Sequence, residues 1–284
     1  MAIVLSLLAA VTYGAADFVG GFVTKRVNVL VVVFLSQAMG TVPFLLSFPL
    51  LNDAPYTRDA LLWGAAAGIG GGAGVILLYA GLAAGRMSIV APITAVEAAC
   101  VPVLVGLATG EDPGGLALIG VVVAIVAVAL ISSSADAPGS SEASRRGRLP
   151  AGVLAAMGAG IGFGAFFIFL DLAGDGTGMW PLVGSRAASL SLAGVALLLT
   201  MRRVPVDRRA LPGIATAGAL DFGANIFYLL ATRHGLLSLV AVITSMYPAS
   251  TVLLARVVLK ERLLGPQIAG IALAGAGVVL IAAG

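Results

Sequence analysis

The chain has 284 residues, of which 60% are hydrophobic and only 10% charged, and its mean hydropathy is +1.10. A soluble domain carries roughly twice that share of charge, so a water-soluble globular fold is excluded. The net charge of +3 is too small for a nucleic-acid footprint; one cysteine (Cys100) leaves no internal disulfide and no cysteine metal cluster, and a single histidine (His234) in a separate segment argues against a metalloenzyme or a Cys-His hydrolase.

About 20 apolar residues span a bilayer as a helix. On that measure the chain holds ten spans, at 2–23, 29–50, 60–84, 88–108, 115–133, 151–171, 180–200, 210–232, 239–258 and 265–283. The first lacks a preceding basic region and is followed by Lys25-Arg26, so it reads as a retained helix and not a cleaved signal. Turn-forming or charged segments such as NDAPYTRD, GEDPGG, RRVPVDRR and KERLLGP separate the spans. The runs are continuous rather than alternating, which argues against strands. Gly64, Gly68 and Gly72 in the third span are spaced for close helix packing in lipid.

The chain repeats itself. Shifting by 150 positions lays Ser88 on Ser238, Thr94 on Thr244, Glu111 on Glu261, Gly120 on Gly270 and Ile131 on Ile281. Between the copies, residues 132–150 are rich in Ser, Ala, Pro and charge, the composition of a solvated linker. The expected organisation is a five-helix repeat over 1–131, a linker over 132–150 and a second repeat over 151–284. Five spans per copy is odd, so the copies enter the membrane from opposite sides and both termini share a face. The expected fold is an all-α integral membrane protein of ten transmembrane helices arranged as two inverted five-helix repeats. Twelve basic residues, from Lys25 and Arg26 to Lys260 and Arg262, fall on the face opposite the termini, against Arg58 and Arg233 beside them. The positive-inside rule would then put the termini outside.

Together these residues resemble the EamA-like ten-helix transporters of the drug/metabolite transporter superfamily. YGAADFVGGFVTKR is similar to that family's first helix, and VAPITAVEAACVPVLVGLATGED and ITSMYPASTVLLARVVLKERL look like its fourth-helix-to-acidic-turn motif, once per half. Arg186 fits the family's Arg in the second helix of a repeat, and Gln37 in the first half departs from it. The resemblance implies an inverted-repeat fold with a central cavity, moving small organic solutes, often by export, with cytoplasmic termini. The expected location is the cytoplasmic membrane of a bacterium, and the expected partners are a small-molecule substrate and the lipid bilayer. No nucleic acid, metal, cofactor or enzymatic activity is expected, and the protein is expected to work as a monomer, with a dimer left open.

A charge at membrane depth costs about 2.5–3.5 kcal/mol, so each calls for a partner, a water-filled cavity or a function. Four such residues stand inside predicted spans: Asp17, Glu97, Arg186 and Asp221. Asp17 follows Tyr13 by four residues, on one helix face. Phe163 and Phe167 occupy the matching face in the second copy, as cavity lining or as plain packing. Glu97 lies between Pro92 and Pro102, and its repeat partner is Tyr247 beside Pro248. It is the candidate for proton coupling, or a protonated Glu bonded to a neighbouring helix. Asp221, Asn225 and Tyr228 form a stripe on the eighth span, with Tyr79 as the counterpart of Tyr228, and Arg186 is the natural partner of Asp221, in a cavity or in a structural ion pair. The expected cavity set is Tyr13, Asp17, Tyr79, Glu97, Phe163, Phe167, Arg186, Asp221, Asn225, Tyr228 and Tyr247. Glu111 and Glu261 are expected to cap turns. No Walker, nucleophile-elbow or zinc-helix motif is present. An intramembrane enzyme acting on lipids would need a cluster of carboxylates or His near one interface, and a membrane scaffold would have no need of charges at depth.

Overall fold

The computed structural model describes residues 1–24, 26–84, 87–132, 152–200, 208–260 and 263–284, the side chains at 79, 82–84, 87–89 and 91–92 excepted. The expected linker, all but its first residue, and Glu261 lie outside the described residues. The elements are α1 (Ala2–Thr24), α2 (Val29–Leu51), α3 (Arg58–Ala84), α4 (Met87–Ala108), α5 (Gly115–Ser132), α6 (Val153–Leu172), α7 (Trp180–Thr200), α8 (Leu211–Thr232), α9 (Leu237–Thr244), α10 (Tyr247–Val258) and α11 (Gly265–Ala283). No strand occurs among the described residues. Nine spans there are long and apolar enough to cross a membrane, counting α9 and α10 together, and Ile93–Ala108 is a shorter apolar helix.

The predicted spans agree with these helices to within a few residues, with one departure. The ninth span was expected as one helix and is two. Pro248 has no N–H to give the carbonyl of Thr244, and the preceding turn tightens, with the Ser245 amide on the Ala241 carbonyl at 2.8 Å and the Met246 amide on the Ile243 carbonyl at 3.2 Å. The chain leaves α9 there and restarts at Tyr247 with Pro248 in the first turn of α10, a position proline tolerates. The counterpart α4 runs as one helix through Pro92 and Pro102.

Helix pairing follows the repeat. α1 packs on α8 and α6 on α3; α2 packs on α8 and α7 on α3; α4 packs on α6, and α9 and α10 pack on α1. α5 pairs with α11, α4 with α9 and α2 with α7. Exchanging the two halves leaves this set of pairings unchanged.

Lipid removes the hydrophobic drive for helix association, so close backbone approach must supply the packing. Gly64 and Gly68 do this: a Cβ on either would run into the backbone of α7, at Pro181 and Ser185. Large apolar side chains such as Leu46, Leu50, Leu198, Leu199 and Val279 are exposed instead, which suits a surface that faces acyl chains and not water.

The loops 52–57, 109–114, 173–179 and 233–236 meet at the end of the bundle that holds both termini, hereafter the terminal face. The Met179 amide donates to Asn52 Oδ1 at 2.9 Å, and Trp180 Nε1 donates to the Ala54 carbonyl at 3.2 Å. The Arg233 guanidinium donates to the Gly178 carbonyl. Burial lowers the Arg233 pKa, while Asp53 and Asp175 act to hold its charge. A cavity of about 150 Å³, lined by Asp171, Gly174, Asp175, Thr232 and Arg233, opens beside it.

Candidate functional site

Six of the polar residues singled out in the sequence converge where α1, α7, α8 and α10 meet. Residues four apart share one helix face, so α1 presents Tyr13 with Asp17 and α8 presents Asp221 with Asn225. The two faces meet: Tyr13 Oη donates to Asn225 Oδ1 at 3.0 Å. Asn225 Nδ2 in turn donates to the Asp221 carbonyl at 2.6 Å and leans on its Oδ2 at 3.4 Å. From α7, Arg186 places one guanidinium nitrogen 3.2 Å from Asp221 Oδ2 and lies over the Phe222 ring, 5.8 Å from its centre. Arg186 is 10% exposed and Asp221 41%, so the arginine is the more deeply packed of the two.

Asp17 completes the cluster differently. Its side chain is exposed although it stands well inside α1. It makes no hydrogen bond or ion pair among the described residues. It lies close to Asp221, Tyr13 and Tyr247. The break before α10 brings Tyr247 to this point. α10 is held against α1 by Thr251 Oγ1, which donates to the Gly14 carbonyl at 3.0 Å. A Cβ at Gly14 would collide with the Tyr247 carbonyl and the Ser250 side chain, so this crossing requires glycine. One guanidinium and two carboxylates share the cluster, and only one carboxylate has a cationic partner.

The other predicted residues lie elsewhere. Tyr228 is fully buried, donates to the Phe167 carbonyl at 3.1 Å and stacks on the Phe167 ring at 4.5 Å. The two belong to the packed core between α6 and α8. Phe163 lies against Gly74 of α3, its ring 2.9 Å from where a Cβ would stand. Glu97 is held at the α4–α6 seam, against Gly160, with Oε2 buried and without a hydrogen-bond partner. Cys100 stands one turn further along α4. The side chain of Tyr79 lies outside the described residues. Tyr13 and Asp17 have no polar match in the other half: Phe163 and Phe167 stand where the repeat would carry them.

Two further residues bear on the site. Ser189 Oγ donates to Gln37 Oε1 at 2.6 Å, across α7 and α2. This bond ties α2 to α7 one turn beyond Arg186. Glu111 caps a helix rather than its own turn. Its Oε1 accepts from the Leu237 amide at 2.5 Å and its Oε2 from the Ser238 amide at 3.0 Å. No spacing rule could reveal a cap 126 positions from its helix.

The model of the EamA-like transporter family matches residues 1–133 and 150–283. No curated protein matches the chain. Among solved structures, one described only as a crystal structure of a protein superposes with a TM-score of 0.76 over 98% of this chain and 95% of that one, at 14% identity. At that identity the likeness concerns the fold alone.

Proposed function

The chain belongs to the EamA-like transporter family, and from that premise we propose that it is a secondary transporter that exports small organic metabolites or drugs through a cavity between two inverted repeats. It is an integral membrane protein and a membrane transporter of small molecules. The inverted relation is supported by the 150-position offset, by the odd number of spans per half and by pairings that survive exchange of the halves. Repeats so related meet at the substrate site near mid-membrane. Export is the direction the family resemblance implies.

The observation that carries the reading is Asp17. An exposed carboxylate with no partner among the described residues, inside a membrane helix and next to an Arg186–Asp221 pair, is too costly to keep without a use. The favoured substrates carry a positive group, which Asp17 would neutralise, and an apolar or aromatic part, which Tyr13 and Tyr247 would flank. Arg186 holds Asp221 and leaves Asp17 available. Glu97 is the candidate for proton coupling, on the ground of a buried carboxyl oxygen without a partner. With no nucleotide motif in the sequence, the driving force is an ion gradient or the substrate's own gradient.

The test is uptake into proteoliposomes of a panel of organic cations, zwitterions and anions, with and without a pH gradient. Saturable transport of cationic solutes, stimulated by the gradient, is expected. Saturable transport of anions alone would contradict the substrate class, and no transport of any solute would contradict the function.

A further inference from the structure

We propose that Glu111 is a latch between the two repeats: its carboxylate caps α9 while the terminal face is shut, and releases it when that face opens. The inference rests on the transporter reading above and adds the device that controls one entrance.

A helix N-terminus leaves its first amides without partners and carries partial positive charge. Glu111 satisfies two of them, at Leu237 and Ser238, with both carboxylate oxygens. The usual cap comes from the residue just before the helix. Here Leu236 holds that position and makes no side-chain cap, and the acceptor comes from the other repeat. Two more bonds cross between repeats at this face, from the Met179 amide to Asn52 and from Trp180 to Ala54. Both are neutral, whereas the Glu111 bonds are charge-assisted and so roughly twice as strong. Access to a site between the repeats from this side requires these ties to part.

α9 is built as the moving piece. It has eight residues, all buried but Leu239, and it is severed from α10 at Ser245-Met246. One end is in the grip of Glu111; the other leads into Tyr247 beside Asp17. Three hydroxyls on it and its C-terminal cap, those of Ser238, Thr244 and Ser245, are buried without a hydrogen-bond partner. Buried polar groups are normally satisfied. In the counterpart helix, Thr94 Oγ1 donates to the Ala156 carbonyl at 3.2 Å, so the same hydroxyl is bonded in one repeat and orphaned in the other. Orphaned hydroxyls on a rod held by one foreign carboxylate fit an element with a second resting position, in which they find partners.

The first experiment reads distance, and needs no substrate. In a Cys100→Ala background, nitroxide labels go on Asp112→Cys and His234→Cys, both exposed at the terminal face, and electron–electron distance distributions are recorded in liposomes. With Glu111 intact, one short population dominates. A cap contributes enough that its loss raises the open-to-closed ratio about 5- to 30-fold, so Glu111→Ala populates a longer distance, with Glu111→Gln between. An unchanged distribution in folded Glu111→Ala overturns the latch. If Glu111→Ala fails to fold, the same cysteine pair is bridged by a short bis-maleimide with Glu111 in place. Bridged protein that has lost transport supports the latch, and bridged protein that transports at the unbridged rate overturns it. A distance shift in Glu111→Ala, together with wild-type protein that moves no solute, would instead defeat the transporter reading and leave the latch standing.

Discussion

The ion pair gives the sharpest energetic prediction, because its two partners are unequally buried. Breaking a fully buried pair costs about 3–5 kcal/mol, through the charge left behind. Arg186 is 10% exposed and cannot shed its proton. Asp221→Leu therefore strands a guanidinium in packed protein, with only the Phe222 ring as compensation, and should cost close to that full range. Arg186→Met strands a carboxylate that is 41% exposed and still has Asn225 Nδ2 within reach. Its cost should be about 1–3 kcal/mol, the range for a lost hydrogen bond to a charged group. The double variant Arg186→Met/Asp221→Leu leaves no orphan and should be no less stable than Asp221→Leu alone. Thermal unfolding in detergent, with all four proteins at matched concentration, reads the order directly. If Arg186→Met is the more damaging single change, or if the double loss equals the sum of the singles, the description of the pair is wrong.

Three further outcomes follow from other parts of the fold. Glu97→Gln should keep the fold and solute binding while flattening the pH dependence of transport; an unchanged pH profile of initial rates would make Glu97 a structural residue. Gly64→Val should destabilise by about 1–3 kcal/mol or more, because its Cβ meets the Pro181 backbone, which cannot swing aside as a side chain would; a melting temperature equal to wild type would refute that crossing. Tyr228→Phe should cost about 1 kcal/mol for the lost bond to the Phe167 carbonyl and leave transport kinetics intact, whereas an altered substrate KM would move Tyr228 from the core into the site.

Much of this arrangement is legible in the amino-acid sequence. Hydrophobic runs and breakers placed the helices, since a membrane allows few other solutions for the backbone. The cost of charge in lipid singled out Arg186 and Asp221, and adjacent helices at similar depth brought them together. Where the reading stopped, the reason is physical. Period alone cannot tell which apolar face is cavity and which is core, so Phe163, Phe167 and Tyr228 carried the same signal as Tyr13 and Asp17. The break before α10 had a visible cause in Pro248, but Pro92 and Pro102 are the same residue type and α4 continues through both. The foreign cap on α9 and the Gln37–Ser189 bond depend on how the halves dock, which is written in no local pattern.

The most direct test of the central claim is counterflow in proteoliposomes: vesicles loaded with an unlabelled organic cation are diluted into a trace of the labelled one, for wild type and Asp17→Asn at equal reconstituted amounts and equal melting temperatures. The account predicts transient accumulation of label by wild type and its loss in Asp17→Asn. Accumulation by Asp17→Asn at the wild-type rate, or none by wild type with any cation that binds, would contradict it.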